Sequence, residues 1–227
     1  MKISERYRAA ADLPTKVPVF PLRGVILLPR SDLPLNIFEP RYLEMFDDML
    51  SGNRLVVIVQ PAGAGEDDES PGGRDVVLSR VACVGRLTAF KELEDGRLIV
   101  TLTGVSRCVI EAEEKTPKPY RICRVAYGAF PVDLVAGDGQ AAADRTGLLE
   151  ALRAFVTARG LEADWSSIEA ADTEELVNYL SMISPFGPQE KQALLEAPDL
   201  KRRAEILIAL ARMELAGTGR PAGKVLQ

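Results

Sequence analysis

The sequence predicts an α+β protein in which an antiparallel β-barrel comes first and an α-helical bundle second. Two observations carry this prediction. Short apolar runs rich in β-branched residues recur up to about residue 132, and apolar residues recur at helical spacing after about residue 140. The stretch 135–144 between them is made mostly of Gly, Ala, Asp and Gln, so we interpret it as a linker.

The first part of the chain, residues 1–134, contains the predicted strands. They cover 17–22, 55–59, 81–90, 98–109 and 120–130. Asp95-Gly96 supplies the positive φ of a tight hairpin turn, so the strands on either side should be antiparallel neighbours. One short helix is expected near 40–51, because Pro40 suits a first helical position and apolar residues follow at helical spacing until Gly52. The acidic, glycine-rich segment 61–75 is interpreted as a mobile surface loop.

The second part, residues 145–216, is predicted to form three to four helices that pack as a bundle. A capping box from Asp172 to Glu175 marks the start of one helix. The run Lys201-Arg202-Arg203 lies in the first turn of the last helix, where we interpret it as a solvated face. The tail at 217–227 is expected to be flexible.

The composition excludes several classes of enzyme. The 227 residues include no histidine, so neither a Ser-His-Asp triad nor an imidazole metal site can exist within them. No phosphate-binding loop or nucleophile elbow is present, and no lysine has a recognisable activating setting. We therefore predict a chain that is not an enzyme and that needs no cofactor and no metal.

The cysteines and the net charge indicate the cellular location of the protein and the partners that it can bind. Cys83, Cys108 and Cys123 lie in apolar stretches, where free cysteine usually behaves as a small buried hydrophobe. Reduced thiols and a charged N-terminal segment predict a cytoplasmic location, and no apolar run is long enough to span a membrane. A formal net charge of −5 disfavours nucleic acid as a partner.

Two separated segments carry a resemblance to a known family. The first reads V-P-V-F-P-L-R at 17–23 and L-P-L-N-I-F-E-P-R-Y at 33–42; the second reads S-P-F-G-P-Q-E-K-Q-A-L-L-E at 184–196. Together they resemble the two ends of the N-terminal, substrate-binding domain of Lon proteases, in the variant found in stand-alone proteins. The resemblance covers about residues 15–215.

The resemblance implies a PUA-like β-barrel followed by a helical bundle, and a role in recognising polypeptides. The chain shows neither the ATPase module nor the Ser-Lys protease module of the enzymes. We therefore expect a non-catalytic module that binds unfolded or exposed polypeptide segments, as an adaptor or a weak chaperone. A homodimer is also compatible with the sequence.

Five residues of the first signature are the candidate site: Arg23, Phe38, Glu39, Arg41 and Tyr42. Phe38 is expected to anchor the segment in the barrel, and Glu39 to complement the positive end of the helix that follows. Arg23 or Arg41 could pair with Glu39. Structural roles are favoured, and Phe38 and Tyr42 stay open as residues that line a peptide groove, because aromatic side chains offer a large contact area.

The sequence is less favourable for two other functions. PUA-type barrels in other proteins bind structured RNA, but the negative charge and the lack of a basic, aromatic-rich strand argue against it here. A small-molecule pocket like that of the related cereblon domain would need a tryptophan cage. The one tryptophan, Trp165, lies in the helical part, where we expect it in the bundle core.

Overall fold

The computed structural model describes residues 6–63 and 76–218 of the chain. The predicted surface loop at 61–75 and the predicted tail at 217–227 lie largely outside these residues. The strands are β1 (Lys16–Pro21), β2 (Asp32–Ile37), β3 (Leu55–Val59), β4 (Val81–Glu92), β5 (Leu98–Glu114) and β6 (Arg121–Ala126). The helices are α1 (Pro40–Ser51), α2 (Arg145–Ala158), α3 (Trp165–Ala170), α4 (Thr173–Ile183), α5 (Pro188–Glu196) and α6 (Leu200–Thr218).

The six strands form one mixed sheet with the order β2-β5-β4-β3-β1-β6. The long strand β5 pairs with β4 along its length, with β2 over its first half and with β6 over its second half. The pairings that run from β5 through β4, β3 and β1 to β6 therefore return to β5. The α+β class, with the sheet before the helices, is confirmed.

The expectation of a purely antiparallel sheet is wrong at one pairing, because β1 and β3 run parallel. Parallel neighbours need a crossover between them, and the chain supplies one through β2 and the helix α1. That helix was predicted from sequence, and it begins at Pro40 and is followed by Gly52 as expected. The Asp95-Gly96 turn is also confirmed, since Gly96 has a φ of +80° between β4 and β5.

The sheet and the helices share one hydrophobic core. One buried cluster contains Phe20 and Phe46 from the first part of the chain together with Leu194 and Leu207 from the second. A second cluster fills the interior between the strands and includes Cys108 and Cys123. The division of the chain into a sheet part at 1–134, a linker at 135–144 and a helical part at 145–216 remains a prediction. Side chains of the first and the last part pack together in the shared cluster.

The three cysteines are free and buried, as predicted. Burial raises the pKa of Cys83 and of Cys108 well above the usual range, and raises the pKa of Cys123 to about 11. These thiols therefore stay protonated at neutral pH and act as core side chains.

Arg107 of β5 joins the sheet to the helices. Its side chain is buried, and its Nε and Nη2 donate to the two carboxylate oxygens of Asp133 at 2.9 and 2.7 Å. Its Nη1 donates to the backbone carbonyls of Leu195, at 3.1 Å, and of Ala197. The guanidinium also lies 4.1 Å from the ring centre of Phe130. One side chain thus connects β5 to the short 3-10 helix that contains Asp133 and to the end of α5.

Two expectations for the helical part are corrected. Arg203 is buried rather than solvated, because its Nη1 donates to Asn178 at 2.8 Å and its Nε to the carbonyl of Leu194 at 3.0 Å. Trp165 is partly exposed rather than in the bundle core, with the guanidinium of Arg153 4.8 Å from its ring centre. Neither difference follows from helical periodicity, because the partners Asn178, Leu194 and Arg153 lie on other helices.

Gly104 fixes the start of β2. A Cβ atom at this position would lie 2.0 Å from the carbonyl oxygen of Leu28. The close approach lets Arg30 donate its backbone N–H to the Gly104 carbonyl at 2.8 Å, and lets Gly104 donate to Ser31 at 2.9 Å. The buried segment 26–28 therefore crosses directly over β5 before β2 begins.

We expect Gly104→Ala to destabilise the fold by about 1–3 kcal/mol or more, because the added methyl overlaps a backbone atom. Gly128→Ala is the matched control, since nothing lies within 4 Å of its Cβ position, and its effect should stay within about 0.5 kcal/mol. Urea unfolding measures both. Equal stability of the two variants would show that the contact between Leu28 and Gly104 is not tightly packed.

We also expect Asp133→Ala to cost about 3–5 kcal/mol, because it leaves the buried Arg107 guanidinium without its carboxylate. Arg124→Ala, which removes an exposed ion pair with Glu111 and Glu114, should cost less than about 1 kcal/mol. The free energies of unfolding in urea provide the comparison. A loss for Asp133→Ala as small as for the control would contradict the role given to Arg107.

Candidate functional site

The start of α1 brings three of the five candidate residues together. Arg41 donates its Nε and Nη2 to one carboxylate oxygen of Glu39, at 2.9 and 2.6 Å. The same guanidinium lies 4.7 Å from the ring centre of Tyr42. Glu39 is the residue before the first helical turn, and Pro40 occupies that turn. The expected pairing of Arg41 with Glu39 is therefore present and holds the chain where it turns into the helix.

Tyr42 belongs to the core. Only 4% of its surface is exposed, and its ring centre lies 4.3 Å from that of Phe20. Phe20 in turn contacts the edge of Phe46, 6.3 Å away. Burial raises the pKa of the Tyr42 hydroxyl. These contacts favour the structural role for Tyr42, as one of the aromatic side chains that hold α1 against β1.

Phe38 does not anchor the segment in the core, and this expectation is wrong. Its side chain is 63% exposed. The reason is the alternation of β2, in which Ile37 is buried and paired with Leu98, so that the next side chain lies away from the interior. The aromatic side chains buried in the core beside α1 are Phe20, Tyr42 and Phe46.

Phe38 lies at the end of the sheet where the β4–β5 hairpin turns. Two more large apolar side chains are exposed at this end, Phe90 on β4 at 50% and Ile99 on β5 at 39%. We call Phe38, Phe90 and Ile99 the hairpin-end surface. Phe90 lies opposite Val100, the residue after Ile99, so Phe90 and Ile99 lie on opposite faces of the hairpin and the hairpin-end surface extends around both faces. Single exposed apolar residues are common, but several at one end of a sheet indicate a contact surface.

Arg23 lies apart from the other four candidates. It lines a groove of about 740 Å³ between the sheet and α5, whose helical wall includes Gln189, Ala193 and Glu196. The structure therefore does not bring all five candidates into one site. It gathers Glu39, Arg41 and Tyr42 at the start of α1, exposes Phe38, and places Arg23 beside the second signature segment.

A buried glutamine connects the two signature segments. Gln60 donates its side-chain N–H groups to the carbonyl of Pro188 at 3.0 Å and to Gln192 at 3.1 Å. Its side-chain oxygen accepts the backbone N–H of Gly24 at 3.0 Å. Sequence reasoning missed Gln60, although a signal was there, since it is a polar residue directly after the fully apolar strand β3.

Lys191, inside the second signature, is a structural residue. Its ammonium donates to the carbonyl of Met182 at 2.6 Å, next to the end of α4. Burial lowers the pKa of this lysine. The side chain thus caps a neighbouring helix end, where cations are favourable, rather than facing a ligand.

The two aromatic candidates should respond differently to truncation. We expect Tyr42→Ala to destabilise the fold by about 3–5 kcal/mol, because it empties a core position. Phe38→Ala should change stability by less than about 1 kcal/mol, because the side chain is mostly in solvent. Thermal and urea unfolding of the two variants test this. A large loss for Phe38→Ala would restore it as an anchor of the fold.

Among the residues that the structure describes, no helix has both the length and the apolar character that a bilayer crossing requires.

Comparisons with known proteins agree on one family. The family model for the ATP-dependent protease La (LON) substrate-binding domain matches residues 16–212. The "Lon protease" of Flavobacterium johnsoniae is 24% identical over 207 residues, which are 90% of this chain and 25% of that protein. "Lon protease 2" of Sorangium cellulosum is 29% identical over 206 residues, 88% of this chain and 25% of that protein. The chain thus spans about a quarter of the length of these relatives.

Two solved structures share the fold. A Lon N-terminal domain protein from Xanthomonas campestris superposes with a TM-score of 0.61 at 20% identity, covering 86% of this chain and 98% of that one. The N-terminal domain of the Mycobacterium avium complex Lon protease gives a TM-score of 0.61 at 18% identity, with 87% and 98% coverage. With the family match over most of the sheet and the helices, this chain belongs to the Lon substrate-binding domain family.

Proposed function

We propose that this chain is a non-catalytic module that binds unfolded or exposed segments of other polypeptides, as an adaptor or a weak chaperone. Its family is described as a substrate-binding domain, and that domain is the part of the longer Lon proteases that it matches. We further propose that it acts in the cytoplasm, a setting that suits three buried, unpaired thiols.

The observation that carries this proposal is the hairpin-end surface. Phe38, Phe90 and Ile99 are exposed, whereas their neighbours Ile37 and Leu98 are buried in the core. Exposed apolar side chains on a rigid backbone can bind apolar segments with little loss of conformational entropy. Unfolded chains present such segments, and folded proteins bury them.

The interaction is expected to be weak. Three partly exposed apolar side chains form a small contact, well below the area of stable protein interfaces. A dissociation constant in the range of about 1–100 μM follows, which corresponds to roughly −8 to −5.5 kcal/mol. Such an affinity suits a module that holds clients briefly and releases them without ATP.

The double variant Phe38→Ala, Phe90→Ala should bind a fluorescently labelled, permanently unfolded model protein at least about tenfold more weakly than the unchanged chain, a loss of roughly 1.4 kcal/mol. The control is the double variant Leu161→Ala, Met213→Ala, which removes two exposed apolar side chains from the helical part. Fluorescence anisotropy measures both affinities, and urea unfolding verifies that both variants are folded.

Three outcomes would contradict the proposal. The unchanged chain could bind folded and unfolded forms of the model protein equally. The control variant could lose as much affinity as the test variant, which would mean that binding is not located at the hairpin end. Tighter binding of a structured RNA than of the unfolded protein, measured in the same assay, would favour the RNA-binding alternative.

A further inference from the structure

The strand β2 has a free edge. Its six residues pair with β5 from Asp32 opposite Thr103 to Ile37 opposite Leu98, and β2 stands at one end of the strand order. Within residues 6–63 and 76–218, no other strand pairs with it. A free edge presents unpaired backbone N–H and C=O groups, which can pair with another extended chain.

The direction of the free backbone groups follows from the sequence of β2. Pro34 has no N–H, so it fits a position whose nitrogen faces away from β5. The carbonyl of Ser31 accepts the N–H of Gly104 at 2.9 Å, so the carbonyl of Ser31 faces β5. Because the groups alternate along an antiparallel strand, Asp32, Pro34 and Asn36 present their backbone groups to the free edge.

The side chains of β2 set the pattern of an added strand. Leu33 and Leu35 are partly buried and pack against the core cluster, whereas Asp32, Pro34 and Asn36 are exposed. A strand placed beside β2 would have every second side chain next to Leu33 and Leu35. Those side chains should be apolar, and the ones between them can be polar.

A groove of about 610 Å³ continues from the first residue of β2 towards α4. Its walls carry the carboxylates of Asp32, Asp172, Glu174 and Glu175 and one arginine, Arg30. Arg30 donates its Nε to Glu174 at 3.0 Å, so its charge is already balanced. The remaining carboxylates make this end of the edge negative, and it complements a Lys or Arg side chain.

Tyr179 adds a second feature suited to a cation. It lines the same groove, and its side chain is mostly exposed. The face of an exposed tyrosine ring attracts ammonium and guanidinium groups. At the other end of β2 lies Phe38, so the free edge runs from a negative groove to an exposed aromatic ring.

We propose that the free edge of β2 binds an extended segment of a client polypeptide as an added strand. The segment has apolar residues at alternate positions and a Lys or Arg at the end that reaches the groove. This inference rests on the proposed function and names its substrate class and binding mode. Main-chain hydrogen bonds to β2 supply part of the affinity, and the Leu33–Leu35 face and the groove select the sequence.

The decisive probes are eight-residue labelled peptides of alternating valine and threonine with one lysine at the N-terminus or the C-terminus. The better-binding orientation is then made in two forms, N-methylated at the odd or at the even backbone positions. One form should bind at least about tenfold more weakly because its methyl groups face β2, and the other should bind within about threefold of the unmethylated peptide. Fluorescence anisotropy with the whole chain measures all of them.

Equal binding of the two methylated forms, or no binding of the unmethylated peptides, would overturn strand addition. The unfolded model protein, measured beside them, separates this failure from that of the proposed function. If the unfolded protein binds, but the peptides do not bind or the two methylated forms bind equally, only the inference on β2 fails. If the unfolded protein does not bind, the proposed function fails as well.

A variant tests the groove separately. Glu175→Gln should weaken binding of the lysine peptide by about two- to fivefold, the range of a single exposed charge pair. It should not affect the same peptide with norleucine in place of lysine. Glu150→Gln, which removes an exposed carboxylate on α2, is the matched control and should change neither. If Glu175→Gln weakened binding of the lysine peptide and of the norleucine peptide equally, the lysine side chain would not lie in the groove.

Discussion

The buried guanidinium of Arg107 is the interaction on which the rest of the structure depends. The last carbonyls of a helix have no partner inside the helix. Leu195 and Ala197 supply two such carbonyls at the end of α5, and Arg107 donates to both. Asp133 balances the charge with both of its oxygens. An apolar residue at position 107 would leave these carbonyls without this donor and would leave the buried Asp133 carboxylate with the backbone N–H of residue 107 but no guanidinium. The arginine is therefore needed where β5, the segment around Asp133 and α5 meet.

The same junction reaches the surface that we propose to bind polypeptides. The backbone carbonyl of Asp133 also accepts a hydrogen bond from Arg30, whose side chain pairs with Glu174 of α4. Arg30 donates its backbone N–H to the carbonyl of Gly104, two residues before β2 begins. The free edge of β2 and the groove beside it are therefore attached to the core through consecutive hydrogen bonds. A fixed edge can pair with an extended chain at a lower entropic cost than a mobile loop.

Local features of the fold could be predicted from sequence, and long-range ones could not. The helix after Pro40 and the turn at Gly96 follow from local conformational preferences, and both are present. The exposed position of Phe38 follows from the register of β2 on β5, which hydrophobicity alone does not determine. The partners of Arg107 lie 26 to 90 residues away, so no local pattern indicates that this arginine is buried. The pairing of Arg41 with Glu39 at the start of α1 could be expected from neighbouring residues, whereas the free edge of β2 required the strand order.

Backbone hydrogen–deuterium exchange of the whole chain, with and without an unfolded model protein, tests the central claim most directly. The account predicts slower exchange at the amides of Asp32 and Asn36 and at the hairpin between β4 and β5 when the unfolded protein is added. Exchange in β3 and around Arg107 should stay unchanged, because the frame is already rigid. Slower exchange confined to α2 and α6, with β2 unaffected, would contradict it and would place polypeptide binding on the helical part of the molecule.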